Sequence, residues 1–234
     1  MIHMDHDHEH GDHDHSHDHS HGNGGDHVHP PQTDHDAGPM SVYEVLEEAV
    51  RTLLDEKGVV TSDDIAAQID LMDSRTPALG ATVIAKAWVD PAFKARLIDD
   101  TRSALLEIGI DIGTLADYRT IENTDDVHNV VVCTLCSCYP KLLLGVPPAW
   151  YKSLAYRSRV VMEPRGVLAE FGVNVPAGVE VRVHDSTADL RYIVLPRRPA
   201  GTEGWSEQQL ESLVTRDAMI GTAIPDIEAK AAAE

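Results

Sequence analysis

Cys133, Cys136 and Cys138 are the only cysteines in a chain of 234 residues, and they lie within six residues of one another. They stand in the run Val131-Val132-Cys133-Thr134-Leu135-Cys136-Ser137-Cys138-Tyr139-Pro140. A chain that places its whole thiol complement in one C-x-x-C-x-C knot is holding something there. Three cysteines cannot all pair, and Cys136 and Cys138 are too close for an ordinary bridge, so disulfide stapling is a poor account of them. Three chemistries compete. A redox dithiol of the C-x-x-C kind expects a helix after its first cysteine, whereas here a β-prone run precedes the knot and Pro140 follows it. Structural zinc wants four nitrogen or sulfur ligands, so His128 or His184 would have to complete the set. The third is a compact claw for a trivalent transition ion. The consecutive Cys136, Ser137 and Cys138 place two thiolates and the intervening backbone nitrogens around one ion, and Cys133 reaches back as a third sulfur. Such a chelate is octahedral with one open position, and soft thiolates with a strong Lewis acid suit cobalt or iron.

A second concentration of ligand side chains lies at the N-terminus. Twelve of the 14 histidines and nine acids fall within residues 1–39, with no Lys or Arg. The segment has almost nothing to bury and is expected to be a disordered tail. Its Asp-His alternation suits borderline divalent metals bound through imidazole. Storage of a metal, or its delivery to the cysteine knot, is the sharper form of that reading. The plain alternative is an expression tag or a solubilising tail, against which stands the interruption of the histidines by other residues.

The totals bound the rest. A chain of 25.6 kDa can bury a sizeable core, and 42% hydrophobic with 25% charged residues is ordinary for a globular domain. The net charge of −20 is not ordinary and argues against a nucleic-acid or anionic-membrane surface. No apolar run is long enough for a transmembrane helix. The acidic N-terminus does not read as a secretory signal, so the expected location is the cytoplasm.

The elements that must position the knot follow from periodicity. Ser41 with Glu44 makes a capping-box pattern, and Val42, Val45, Leu46, Ala49, Val50, Leu53 and Leu54 continue at helical spacing until Gly58. Thr61 or Ser62 starts a second helix through Ile65, Ile69 and Met72. A third is expected from Gly80 to Val89. A fourth opens at Asp90-Pro91 and carries Phe93, Leu97, Ala104, Leu105 and Ile108 on one buried face. Tyr118 to Glu122 and Asn129 to Val132 read as short strands, the second leading into Cys133. A helix starts near Ala149, and residues 155–172 read as helical with a break at Pro164. Val179 to Val183 and Leu190 to Leu195 alternate as a β-pair about Asp185-Ser186. Ser206 with Gln209 caps a late helix that turns Leu210, Leu213 and Val214 inward. Helices at both ends of a few central strands make an α+β fold. The expected organisation is a tail over 1–39, a helical arm over 40–79 that packs on a partner, and a core over 80–234. Trp88, Trp150 and Trp205 are read as packing residues. His128 is read as a hydrogen-bonded framework residue. Arg157 and Arg159 are read as ion-pair formers, either of which can steer the claw loop.

Val-Cys-Thr-Leu-Cys-Ser-Cys resembles the metal-binding signature of the nitrile hydratase α subunit. The likeness extends to Ala87-Trp88-Val89-Asp90-Pro91-Ala92-Phe93-Lys94, Glu122-Asn123-Thr124 and His128-Asn129-Val130-Val131-Val132 ahead of the claw. It continues through Gly145-Val146-Pro147-Pro148-Ala149-Trp150-Tyr151-Lys152-Ser153 and Tyr156-Arg157-Ser158-Arg159-Val160-Val161. It ends with Arg198 to Ser206, Leu213 to Asp217 and Met219-Ile220-Gly221, so that residues 41–225 are covered. The resemblance implies an α-β-β-α layered core behind the arm, and hydration of a nitrile to its amide. It implies one low-spin cobalt(III) ion per chain, with iron(III) as the lesser alternative. The ligands it implies are the sulfurs of Cys133, Cys136 and Cys138 and the amide nitrogens of Ser137 and Cys138. Cys136 would be a sulfinic acid and Cys138 a sulfenic acid. Thr134 looks like the cobalt-type variant, since iron-type members usually carry Ser there. The resemblance also implies a β-type partner subunit, whose arginines bond the oxidised sulfurs, and an accessory protein for metal insertion.

The chain departs from the family at several points. Lys141 stands where a pocket-lining Trp is usual, which widens or polarises the pocket. Asp189 stands where a supporting Glu is usual, while Arg191 is kept. The segment that often supplies a Gln aligns near Thr114. Either these changes are drift compensated by the partner, or the substrate is a larger or more polar nitrile, as in the toyocamycin-type enzymes. Thiocyanate hydrolase, whose catalytic subunit carries the same claw, and a non-catalytic cobalt or zinc carrier are the other readings of the chain.

Overall fold

A computed structural model of the chain describes residues 41–136 and 138–227. The expected tail over 1–39 and Ser137 therefore lie outside the described residues. The chain divides into two units at Val50 and Arg51. The described part of the first, residues 41–50, begins helix α1 (Val42–Glu56). Ser41 and Glu44 bond reciprocally there as a capping box. No residue of α1 is buried, and Val42, Val45, Leu46 and Val50 are exposed.

The second unit starts at Arg51. Helix α2 (Ser62–Asp73) is capped by Thr61, whose side chain accepts the Asp64 N–H while Asp64 accepts the Thr61 N–H. Like α1 it has no buried residue. Helix α3 (Pro77–Val89) is different in kind. Gly80, Ala81, Val83, Ile84, Ala85 and Ala87 are all buried, the mark of a helix enclosed by other elements rather than laid on a surface.

The single fourth helix expected from Asp90 to Ile108 is instead two, α4 (Pro91–Asp99) and α5 (Thr101–Glu107). The break is at Asp100, which is extended (φ −138°, ψ 91°) and accepts the Ser103 N–H and Oγ–H. A carboxylate that can cap the following turn competes with continuing the helix, and here it wins. Thr101, buried at the start of α5, donates to Leu97 O and accepts the Thr120 N–H, which fixes the new turn to the first strand.

Four strands follow: β1 (Asp117–Glu122), β2 (Val127–Val132), β3 (Glu180–Asp185) and β4 (Leu190–Leu195). The expected pairing of β3 with β4 does not occur. β1 pairs with β4 and β2 with β3, both parallel, in two separate two-stranded sheets. The residues explain the choice. All six positions of β2 are at least partly buried and its last five fully so, a strand covered on both faces, which parallel pairing suits. Four short helices fill the crossover from β2 to β3: α6 (Lys141–Leu144), α7 (Ala149–Lys152), α8 (Leu154–Met162) and α9 (Pro164–Glu170). Pro164 starts α9, so the break lies where its ring predicts. Helix α10 (Glu207–Glu211) carries the Ser206–Gln209 capping box, and Leu210 and Leu213 pack with Ala85. The result is an α+β fold.

The two sheets are tied by one strap of backbone. Ile220 O accepts the Val131 N–H of β2, and Met219 O accepts the Val194 N–H of β4, each at 2.9 Å. The strap turns away at Gly221 (φ +90°), where a Cβ would collide with the backbone carbonyl of Asn129. Gly221→Ala combines that clash with a left-handed backbone and should cost more than about 2 kcal/mol. Denaturant unfolding measures it, and a midpoint within error of wild type would refute this account of the strap.

Candidate metal centre

The claw begins where β2 ends. Val132 is fully buried and pairs in register with Asp185 of β3, so the first claw residue emerges beside the last residue of β3. Thr134 then donates its N–H to Asp185 Oδ1 at 2.9 Å and its hydroxyl to Oδ2 at 2.6 Å. From the other side, Arg157 of α8 donates from Nε to Cys133 O (3.1 Å) and from Nη2 to Thr134 O (2.7 Å). Tyr151 of α7 donates to Cys138 O at 2.8 Å, and Tyr156 to Val131 O at 2.6 Å. Both phenols stand in an edge-to-face aromatic cluster with Trp150 and Phe171. The loop is thus held by a carboxylate, a guanidinium and two buried phenols, none of which engages a sulfur.

The sulfurs converge. Cys133 Sγ lies 3.4 Å from Cys136 Sγ, which lies 3.0 Å from Cys138 Sγ, and all three fall within 4.8 Å of one another. No disulfide joins them. Cys133 and Cys138 are buried, Cys136 is exposed, and Leu135 at the tip is 88% exposed. The Cys136 N–H donates to Cys133 Sγ at 3.3 Å. Partial burial, reinforced by the neighbouring Cys136, pushes the Cys138 thiol up to about 12 against the opposing charge of Arg191. Arg191 Nη1 is buried and finds no hydrogen-bond partner among the described residues. A cation with an idle donor beside three clustered thiols suits a centre that becomes anionic when the thiols ionise. The donor set fits a soft-ligand transition ion.

The other site residues expected from the sequence are placed as follows. Ser137 lies outside the described residues. Lys141 is exposed at the first position of α6. Asp189 is exposed in the β3–β4 connection, its N–H bonded to Thr187 Oγ1 and its carbonyl to the Asp117 N–H. Thr114 is exposed ahead of β1. His128 is buried with Nε2 2.7 Å from Gly221 O, and His184 Nε2 lies 2.8 Å from Asn129 Oδ1. Neither histidine belongs to the sulfur group, so the zinc reading gains no fourth ligand from them. Of the two arginines, Arg157 holds the claw loop, while Arg159 pairs with Glu163 and Glu170. Trp88 donates to Pro196 O and Trp205 packs beside Leu210, as packing residues do.

Asp185 and the two tyrosines were not singled out from the sequence. An Asp ending a strand carries no local signal, and only the β2–β3 register brings it level with the claw. Asp185→Ala removes both acceptors from Thr134 and should weaken metal retention about tenfold, in the manner of outer-shell mutations. Metal content after a chelator challenge reads this out, and Asp189→Ala should change it less. Any ion bound by Cys138 must displace its proton. Below the thiol's pKa, apparent affinity should therefore rise about tenfold per pH unit for each proton displaced, which metal titrations at two pH values test.

With this geometry in place, the relatives are informative. A family model described as nitrile hydratase, alpha chain, matches residues 41–223. The low-molecular weight cobalt-containing nitrile hydratase subunit alpha of Rhodococcus rhodochrous is 50% identical over 184 residues, 78% of this chain and 89% of that one. The thiocyanate hydrolase subunit gamma of Thiobacillus thioparus is 45% identical over 197 residues, 80% of this chain and 81% of that one. A solved recombinant thiocyanate hydrolase with partially modified cobalt centres superposes with a TM-score of 0.74 at 43% identity, covering 80% of this chain and 92% of that one. Matched through both the arm and the claw, the chain belongs to the nitrile hydratase α-chain family and is an enzyme subunit.

Proposed function

We propose that this chain is the catalytic subunit of a nitrile hydratase that converts a nitrile to its amide at a low-spin cobalt(III) centre. The observation that carries this is the convergence of the three sulfurs on a loop anchored by Asp185, Arg157 and Tyr151 through groups other than its sulfurs. In this reading Cys133, Cys136 and Cys138 supply the thiolates, and the amide nitrogens of Ser137 and Cys138 complete the protein's ligands. Cys136 carries a sulfinic and Cys138 a sulfenic group. Such an ion, when bound, supplies Lewis acidity that draws electron density from the nitrile carbon and prepares it for addition of water. Cobalt is favoured over iron by Thr134 and by the cobalt named in the Rhodococcus rhodochrous relative.

The chain's own residues do the rest. Asp185 and Arg157 grip the loop on either side of Cys133, and Tyr151 fixes the carbonyl of Cys138, so the sulfurs keep their spacing. Arg191 lends positive charge to the sulfur site and keeps a buried, idle N–H, and Asp189, two residues before it, is the acid that supports the site in this reading. Exposed Cys136 and Leu135 form the face on which a β-type subunit closes the site, contributing the arginines that this chain lacks. The exposed apolar face of α1, with Val42, Val45 and Leu46, is the surface that such a subunit covers. Lys141 borders the substrate space and favours a larger or more polar nitrile than an indole there would admit. An accessory protein for metal insertion and a cytoplasmic location complete the reading. Of the described helices, none is long and apolar enough to cross a membrane.

Thiocyanate hydrolysis is the second reading, because a thiocyanate hydrolase subunit is 45% identical. Carbonyl sulfide release from thiocyanate, measured against amide formation from nitriles on the assembled complex, separates the two. Replacing Cys133, Cys136 and Cys138 with serine in that complex should abolish turnover, and surviving activity would overturn both readings. Intact-mass analysis of the loaded chain should show about 48 Da of added oxygen on Cys136 and Cys138. Lys141→Trp should shift preference toward small aliphatic nitriles, and an unchanged profile removes the pocket role of Lys141.

A further inference from the structure

We propose that Asn123 and His128 form the polar floor of a second small-molecule site, away from the sulfur cluster, that takes a neutral carboxamide. That this amide is the enzyme's own product rests on the nitrile hydratase reading; the amide site itself does not. His128 is the second residue of β2, and Asn123 follows the last residue of β1. Asn123 Oδ1 accepts the Asn129 N–H at 2.7 Å and an Nδ2–H of Asn129 at 3.0 Å, so its carboxamide lies against the peptide that leaves His128. Asn123 is 7% exposed and His128 6%, and both line one cavity of about 290 Å³. Four residues of strand, about 13 Å, separate His128 from Val132, the last residue before the claw.

Each of the two side chains keeps one idle group. His128 Nε2 lies 2.7 Å from Gly221 O, which can only accept, so Nε2 carries the proton and Nδ1 presents a lone pair. Burial lowers the imidazole's pKa against the opposing bond to Gly221, which keeps that lone pair free at neutral pH. Asn123 Oδ1 is taken twice, which fixes the orientation of the amide and leaves Nδ2 as its free donor. Neither His128 Nδ1 nor Asn123 Nδ2 has a partner among the described residues. Nor is either sealed off: the enclosed, unpartnered side-chain atoms of the described residues belong to Arg75, Tyr139 and Arg191. Both nitrogens therefore open on the cavity that their side chains line. The charged groups around it are engaged, since Arg197 pairs with Asp125, and Arg198 donates to Trp88 O and to Thr202. Pro176, Pro196, Pro199 and Pro225 supply apolar walls without a backbone donor. A neutral ligand with an acceptor and a donor side by side matches this floor. A carboxamide has that pair: its oxygen accepts from Asn123 Nδ2, and its N–H donates to His128 Nδ1. A nitrile offers an acceptor alone and leaves His128 idle, and a carboxylate sets its charge against the His128 lone pair. The product of the proposed reaction thus fits where its substrate does not.

The test uses the assembled complex with Cys133, Cys136 and Cys138 changed to serine, so that the claw neither holds nor converts the probes. Isobutyramide, isobutyronitrile and isobutyrate are titrated against it by saturation-transfer NMR. The amide should bind about tenfold more tightly than either of the others. Asn123→Asp keeps the acceptor for Asn129 and removes the free donor, while Ala200→Phe fills the cavity from its exposed rim. Each should weaken amide binding about tenfold. Should Asn123→Asp fail to assemble, Ala200→Phe decides, because Ala200 lies in an exposed turn. No amide binding, equal binding of the nitrile, or amide binding untouched by Ala200→Phe overturns the site. The complex with intact cysteines decides the product assignment separately. Amide binding at the cavity with no amide formed from nitriles overturns that assignment and the nitrile hydratase reading, and upholds the carboxamide site.

Discussion

The site depends on one pairing. β2 runs beside β3 in parallel, in the register that sets Val132 against Asp185. That register delivers the start of the claw, buried, next to a carboxylate that takes both hydrogens offered by Thr134. A shift of one residue would turn Asp185 to the other face of the strand and leave Thr134 without its acceptor. The strap through Met219 and Ile220 locks β2 to β4 from the far side, so the register is held by the second sheet as well as by the first.

The described residues of the claw loop are held to the body by groups that make no use of its sulfurs. The carbonyls of Cys133, Thr134 and Cys138 are bonded by Arg157 and Tyr151, and the Thr134 N–H by Asp185. A loop that used its thiols to hold itself together would have to break those contacts to bind an ion. Here the contacts at Cys133, Thr134 and Cys138 hold those residues in advance, which lowers the conformational entropy lost when the sulfurs close on a ligand. The burial of Cys133 and Cys138 with exposure of Cys136 gives the cluster a closed side and an open side. The closed side raises the Cys138 thiol to about 12, so that in the absence of an ion the proton stays.

Much of this was legible from residues alone. The capping boxes at Ser41 and Ser206, the helix start at Thr61 or Ser62, the break at Pro164 and the strand into Cys133 all form where local pattern placed them. These are short-range effects, decided within a turn or a strand. The two errors were long-range or competitive. Asp100 suits a helix interior poorly and a cap well, and periodicity alone could not weigh one against the other. β3 and β4 alternate as a hairpin would, but each pairs instead with a strand distant in sequence, β3 with the buried β2 and β4 with β1.

The chain by itself narrowed the chemistry: three thiols in six residues left a redox dithiol, a zinc site or a trivalent-ion claw, and the family likeness along the rest of the sequence favoured the claw. Most helix starts were likewise written locally, with the break at Asp100 the exception. Only the tertiary structure decided what holds that centre in place. Asp185, Arg157 and Tyr151 come from three different elements, 51, 24 and 13 residues from their bonded partners. Their convergence is fixed by strand register and by the packing of an aromatic cluster, neither of which has a signature in the neighbouring sequence, because both arise from what the whole chain can bury at once.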